Sequence, residues 1–478
     1  MGEQMVNIRE QENQAELNRE TRLKREKLFE EIDAQDTKGI RKKVLQLAGP
    51  SLAEMVMLNM VQLVNMIMVG RVGPEAVAAV GLIAQPVFLA LALFIAINVG
   101  TTAVIARAVG GGNIKEANRA AEQAFTFNVV LSILVVALMI PLTEPILLLM
   151  GAGPEVLADG IPYGQIMFLT ILFFSLSMGL SAALRGAGDT RTPMKINVLS
   201  NLLVILVGFP LIYGHLGLPA LGVVGAGVAT LASRVAACIA LLWIVFKGKN
   251  IFRFAPQRLV KFDKNLMRRI ITIGLPAAGE QLVLRVGQLI FTRVVAHLGT
   301  IAFAAHQICF TVLGLSFMPG MAFAVAATTL VGQGLGAGQP DLAERFGWET
   351  RRLGMIISGT MGLAFILFAP YILMIFTPDQ EVINEGVNAL RIIGFVQVAQ
   401  STQFILAGAL RGAGDTRYPL YTILICVWGV RVLFALLFVF GLGWGLAGAW
   451  AAVALDQVLR SFLIYRRFRN GRWKLAKV

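Results

Sequence analysis

The sequence predicts an all-α integral membrane protein, with twelve transmembrane helices arranged as two six-helix bundles that repeat in parallel. Three observations carry that prediction. Over 478 residues, hydrophobic side chains make up 56% and charged ones only 15%, and the mean hydropathy of +0.72 lies well outside the soluble range. Apolar runs of roughly 20 residues, each long enough to cross a bilayer core, recur along the chain. The string Ala-Leu-Arg-Gly-Ala-Gly-Asp-Thr-Arg also occurs twice, at Ala183–Arg191 and Ala409–Arg417, and a proline follows each copy, Pro193 and Pro419.

The repeat extends far beyond that string. At a constant offset of 226 residues it pairs Pro50 with Pro276, Glu54 with Glu280, Gln62 with Gln288, Gly110 with Gly336 and Gly160 with Gly386. The first unit's spans fall at 46–70, 78–106, 117–143, 157–182, 194–214 and 221–246. Those of the second fall at 269–296, 303–332, 344–369, 383–409, 420–442 and 446–466. Membrane-spanning strands would alternate polar with apolar residues, whereas these runs are apolar all round. From Pro193 to Gly225 is 32 residues but from Pro419 to Gly448 only 29, so the offset falls to 223. The extra residues are expected in an external loop around Tyr213–Ala220, with the helices themselves equivalent.

Basic residues set the orientation. Arg107, Lys115 and Arg119 follow span 2, Arg185, Arg191 and Lys195 follow span 4, and a run of lysines and arginines fills the connection after span 6. Alternate loops carry Glu144, Glu155, Asp379, Glu381 and Glu385 instead, with Arg71 the one basic exception. By the positive-inside rule both termini are then cytoplasmic, in a plasma (inner) membrane. An even number of spans per unit makes the repeats parallel, related by an axis along the membrane normal. The expected organisation is a charged cytoplasmic tail over 1–43, a first bundle over 44–247, a cytoplasmic linker over 248–268, a second bundle over 269–467 and a basic tail over 468–478.

The net charge of +14 calls for no nucleic acid. Residues 1–43 hold ten acidic and ten basic side chains, reading as a charged helix over 8–38 with i,i+4 pairs, so the excess sits in loops facing anionic lipid headgroups. Cys238, Cys309 and Cys426 lie far apart in apolar spans, which argues against a disulfide framework or a zinc site, and no cofactor is expected.

Transport chemistry resides where polar groups persist inside lipid. Glu54, Glu280 and Asp456 are the carboxylates clearly within spans. At 100° per residue, Glu54, Gln62 and Asn65 share one face of span 1, and Glu280 and Gln288 share the matching face of span 7. Two acids related by the repeat would approach across the interface and bind a cation or a proton. The alternative is a helix-start glutamate that hydrogen-bonds neighbouring backbone or pairs with an arginine. Asp456, four residues before Arg460 and opposite Arg431, reads first as a buried ion pair and second as a proton relay. In the repeated string the glycines permit a sharp reversal, Asp189 and Asp415, or the threonines that follow them, can cap the next helix, and Arg185 and Arg411 are expected to face headgroups. A structural turn is the first reading there and a gate hinge the second.

These features together resemble the MATE (multidrug and toxic compound extrusion) family of twelve-helix antiporters. The segments carrying the resemblance are Pro50…Glu54…Val69-Gly70-Arg71-Val72-Gly73, the paired Leu-Arg-Gly-Ala-Gly-Asp-Thr-Arg strings, Gly274-Leu275-Pro276…Glu280-Gln281, Trp428-Gly429-Val430-Arg431 and the basic C-terminus from Arg467 to Trp473. The resemblance implies two bundles forming a V around a central cleft. It also implies export of small amphipathic organic cations driven by inward H⁺ or Na⁺, by a monomer in contact with membrane lipid. The chain departs from the family where well-known members place coupling acids: it has Asn65 fifteen residues after Pro50, Phe209 before Pro210, and Leu284 eight residues after Pro276. A flippase for lipid-linked saccharides is the alternative, since Arg234, Arg285 and Arg293 could hold a diphosphate. No enzyme motif or channel filter is present.

Overall fold

The computed structural model describes residues 36–215, 217–247, 252, 254 and 263–476. The tail helix expected over 8–38 therefore lies outside the described residues up to position 35, as does most of the 248–268 linker. Among the described residues, twelve long helices carry the fold. The first half holds α1 (Thr37–Gly70), α2 (Pro74–Gly110), α3 (Ile114–Met139), α4 (Pro154–Gly186), α5 (Arg191–Tyr213) and α6 (Gly222–Phe246). The second holds α7 (Lys264–Ala296), α8 (Thr300–Gly336), α9 (Pro340–Leu367), α10 (Gln380–Ala413), α11 (Arg417–Gly441) and α12 (Gly445–Arg469). Short helices Thr143–Leu149 and Ala369–Met374 follow α3 and α9 at matching repeat positions.

Eleven of the twelve are long and apolar enough to cross a membrane. The exception, α9, carries Asp341, Glu344, Arg345, Glu349, Arg351 and Arg352 in its first half and turns apolar only after them. Leu206, Leu289 and Phe395 are each more than 70% exposed, an outward apolar surface that suits lipid rather than water. Prolines stand in the first turn of α2, α4 and α9, where a missing N–H costs no hydrogen bond.

Packing shows how the halves are tied together. The ends of the helices bearing Arg107, Arg185, Arg269 and Arg411 form one face of the bundle, called here the basic end, where both ends of the described chain also lie. There, α1 leaves its own half: Ile40, Val44 and Leu47 pack in a core with Phe323, Ala326 and Leu330 of α8. The repeat mates on α7, Leu266, Ile270 and Ile273, pack in the mirror core with Ile97, Val104 and Ala108 of α2. Each half thus lends the start of its first helix to the other. The ends of α2 and α8 then cross at glycines. A Cβ on Gly110 would overlap the Gln333 carbonyl, and one on Gly336 would overlap the Arg107 carbonyl, a contact that is reciprocal under the 226-residue repeat.

The extra loop residues lie where expected, because α5 is an unbroken α-helix and the longer connection runs between Tyr213 and Gly222. The helices are not equivalent, however. In α11, Ile425–Val432 and Leu437–Gly441 wind as π-helix. With 25 residues against 23 in α5, α11 takes up surplus length by widening its turns.

Gly110→Ala and Gly336→Ala should each destabilise the purified protein by about 1–3 kcal/mol, the usual cost of forcing a methyl into a filled contact. Because both act on one crossing, the double variant should lose less than the sum. Thermal unfolding in detergent checks both expectations.

Candidate functional site

The acid of the first half sits in a polar recess built from four helices. Glu54, on α1 one turn past Pro50, faces Arg185 in the last turn of α4; Arg185 Nη1 lies 3.4 Å from both carboxylate oxygens. Asn197 of α5 donates a shorter bond of 2.7 Å to Glu54 Oε1. One turn on, Asn201 accepts from Arg234 of α6 at 3.4 Å, and the Arg234 guanidinium lies 4.7 Å from the centre of the Phe174 ring. The side chains of Glu54 and Arg185 keep 14% and 18% of their surface accessible, so protein does not fully cover the pair.

The second half repeats the pairing but closes it. Arg411 grips Glu280 through both Nε and Nη2, and Glu280 is only 1% exposed. The positions of Asn197, Asn201 and Arg234 are taken there by Ile423, Val427 and Gln457. The acids therefore do not engage one another: each is bound by the arginine of its own half. That also corrects the expectation that Arg185 and Arg411 face headgroups, because a carboxylate inside the bundle draws each guanidinium inward.

Asp456 is fully buried between Arg431, whose Nε donates to Oδ2 at 2.9 Å, and Arg460, whose Nε donates to Oδ1 at 3.2 Å. Arg431 belongs to the first π-wound stretch of α11, a non-repeating feature that accompanies this non-repeating triad. Bidentate geometry and burial make it the structural ion pair read from the sequence. In the turns, Asp189 accepts from the Thr192 backbone N–H at 3.0 Å and so caps α5. Asp415 instead accepts from Arg467 at 2.7 Å, binding α12 to the second turn. Gln62 is exposed and Asn65 half-buried, with no hydrogen bond from either to another described residue, while Gln288 reaches only Thr292, at 3.4 Å. Arg285 stacks on Phe88 across the halves at 5.3 Å.

The other half of the site is the seal at the basic end. Thr329 Oγ1 of α8 donates to the Arg185 carbonyl at 3.0 Å, and Gln333 Nε2 donates to the Gly186 carbonyl at 3.1 Å. In the mirror position Arg107 Nη1 donates to the Ala413 carbonyl at 3.4 Å and to the Ala476 carbonyl at 2.9 Å. Arg41–Glu349 at 2.7 Å and Arg269–Glu116 at 2.5 Å complete it. Among the described residues, every recorded hydrogen bond and ion pair between the halves lies at this end. The C-terminal segment is clamped beside it. Trp473 stacks on Phe468 at 4.7 Å, and hydrogen bonds to Glu344 and Asp341 raise the Lys474 ammonium pKa above its usual value.

The repeated turn is therefore part of the contact between halves. Neither Asn197 nor the Thr329 and Gln333 donors were singled out there. The i,i+4 amides at 197 and 201 within an apolar span were one available signal, and polar side chains at the repeat mates 107 and 333 were another.

Comparison with known proteins matches this architecture. The MatE family profile fits residues 50–209 and 276–437, two copies beginning 226 residues apart. The chain belongs to the MatE family. It is 32% identical over 443 residues to the probable multidrug resistance protein NorM of Thermotoga maritima, covering 92% of this chain and 94% of that one. It is 28% identical over 407 residues to the uncharacterized transporter YisQ of Bacillus subtilis, covering 85% and 89%. Among solved structures it superposes on a multidrug resistance MATE family transporter of the MOP superfamily, described in an outward-facing conformation, with a TM-score of 0.84, 24% identity and coverage of 91% and 97%. This MatE protein is thus a membrane transporter rather than an enzyme.

Asp456→Asn should destabilise the protein by about 3–5 kcal/mol, because it leaves two buried guanidiniums sharing no carboxylate. A sharp fall in folded yield and melting temperature, larger than that of Glu54→Gln, is the expected outcome.

Proposed function

We propose that this protein is a secondary antiporter that exports amphipathic organic cations in exchange for inward H⁺ or Na⁺ by alternating access. The observation that carries the reading is the seal: hydrogen bonds and ion pairs among the described residues join the halves at the basic end, with the Arg285–Phe88 stack deeper in, and a partly accessible acid of the first half lies beside them. By the positive-inside rule the basic end is cytoplasmic, so the seal is the inner gate and the cleft opens outward. An ion entering from outside then meets Glu54, which is more accessible than Glu280 or Asp456. There it competes with Arg185 and with any organic cation for the same charge, which is the competition an antiporter requires. Glu280, held at two points and closed to solvent, serves packing. The multidrug resistance names of the relatives support the substrate class.

A second reading, carriage of an anionic amphipath such as a lipid-linked saccharide, draws support from Arg234. It has no carboxylate within ion-pair distance among the described residues, leaving the recess one positive charge in excess.

In proteoliposomes, Glu54→Gln should lower gradient-driven uptake of a fluorescent cation by on the order of tenfold, at near-normal folded yield. Glu280→Gln should chiefly lower yield. Unchanged driven transport and ion dependence in Glu54→Gln would remove Glu54 as the coupling acid. Transport of an anionic probe in place of the cation would favour the second reading.

A further inference from the structure

We infer that Arg185 is the positioning residue that connects Glu54 to the inner seal, passing the acid's charge state to the contact between the halves. The inference rests on the antiport reading above and names the residue that transmits its coupling. Two functions meet in this one residue. Its guanidinium faces Glu54 at 3.4 Å, and its backbone carbonyl accepts the Thr329 hydroxyl of the opposite half at 3.0 Å. Arg185 stands one residue before the end of α4, so a shift of its side chain is borne by the last turn of a helix rather than by its rigid middle. The next carbonyl, of Gly186, accepts from Gln333 at 3.1 Å, so the same turn carries both bonds from α8.

The second half lacks this connection, although it repeats the acid and the arginine. The repeat mate of Thr329 is Ala103, which has no hydroxyl to give. The mirror donor, Arg107, bonds Ala413 rather than Arg411, so the pair at Glu280 is not in register with the seal. The grip differs as well. Arg411 holds Glu280 through two nitrogens, whereas one nitrogen of Arg185 is shared between both oxygens of Glu54, and Asn197 holds the shorter bond at 2.7 Å. Asn197 can keep the carboxyl in place after it takes up a proton or sodium ion; Arg185 then loses its electrostatic reason to stay.

The charged groups facing Glu54 are Arg185 of α4 and, at longer range, Arg234 of α6. Neutralising the acid leaves two guanidiniums in one recess without a carboxylate between them. Their repulsion drives Arg185 outward and draws the last turn of α4 away from Thr329 and Gln333. Two neutral hydrogen bonds are weak enough for one charge to decide.

Thr329→Ala tests the inference, since it places at 329 the residue that position 103 already has. The full-length protein in proteoliposomes is assayed for cation accumulation driven by imposed pH and Na⁺ gradients, and for cation exchange without any gradient. Driven accumulation should fall on the order of tenfold while gradient-free exchange stays within about twofold, and Thr329→Ser should restore coupling. Arg185→Lys, which keeps the charge and the carbonyl, should retain part of the driven transport with a displaced pH profile. A parallel loss of both activities in Thr329→Ala, or no loss of either, overturns the inference. So does an unshifted pH profile in Arg185→Lys, which serves should the alanine variant not fold. Absence of driven transport in the unaltered protein would instead remove the antiport reading itself.

Discussion

Where the ends of α2 and α8 cross, no side chain fits between them, and the arrangement of the halves follows from that contact. Gly110 lies on the Gln333 carbonyl and Gly336 on that of Arg107. Helix ends that approach so closely place the side chains of residues 107 and 333 against the turns of the opposite half, where both become donors. The same approach leaves no room for each unit's first helix beside its own second. That helix packs across instead, which is why the cores at the basic end mix residues of both halves. The contact between the halves is therefore a set of hydrogen bonds and ion pairs over glycine, backed by two apolar cores that both halves share.

Charge inside the bundle obeys a second constraint. A carboxylate in low dielectric needs a partner, and arginine supplies it to Glu54, Glu280 and Asp456. The differences among them lie in access and grip. Asp456 and Glu280 are closed, doubly held and suited to fixing helices, while Glu54 is singly shared, backed by an amide and partly accessible. Two copies of one unit thus hold their acids in different ways.

Much of the fold was legible in the sequence because the relevant signals are long or repeated. Twenty-residue apolar runs define helices without reference to their neighbours, and the constant offset from Pro50 through Pro419 fixed parallel halves. The Asp456 triad was legible because Arg460 is one helical turn away. The recess was not. Glu54 and Arg185 lie 131 residues apart, as do Glu280 and Arg411, and a pairing at that distance depends on how α1 and α4 pack. The recurrence of that separation was visible, but many polar pairs recur in a repeat, and nothing local distinguishes a pair that touches. The π-winding of α11 likewise has no compositional mark; only the two-residue surplus hinted at it. The seal donors were hidden because their partners are backbone carbonyls, which every residue has.

The central claim is that the halves part and rejoin at the glycine crossing. Distances between spin labels at Asn113 and Gln339, the repeat-related turn positions after α2 and α8, report it directly in the full-length protein in lipid nanodiscs. The account predicts a short, narrow distance without substrate, with a second, longer population appearing on ion loading, while labels at Val72 and Leu298 on the opposite end move together. A single unchanged Asn113–Gln339 distance under conditions that support transport would contradict it.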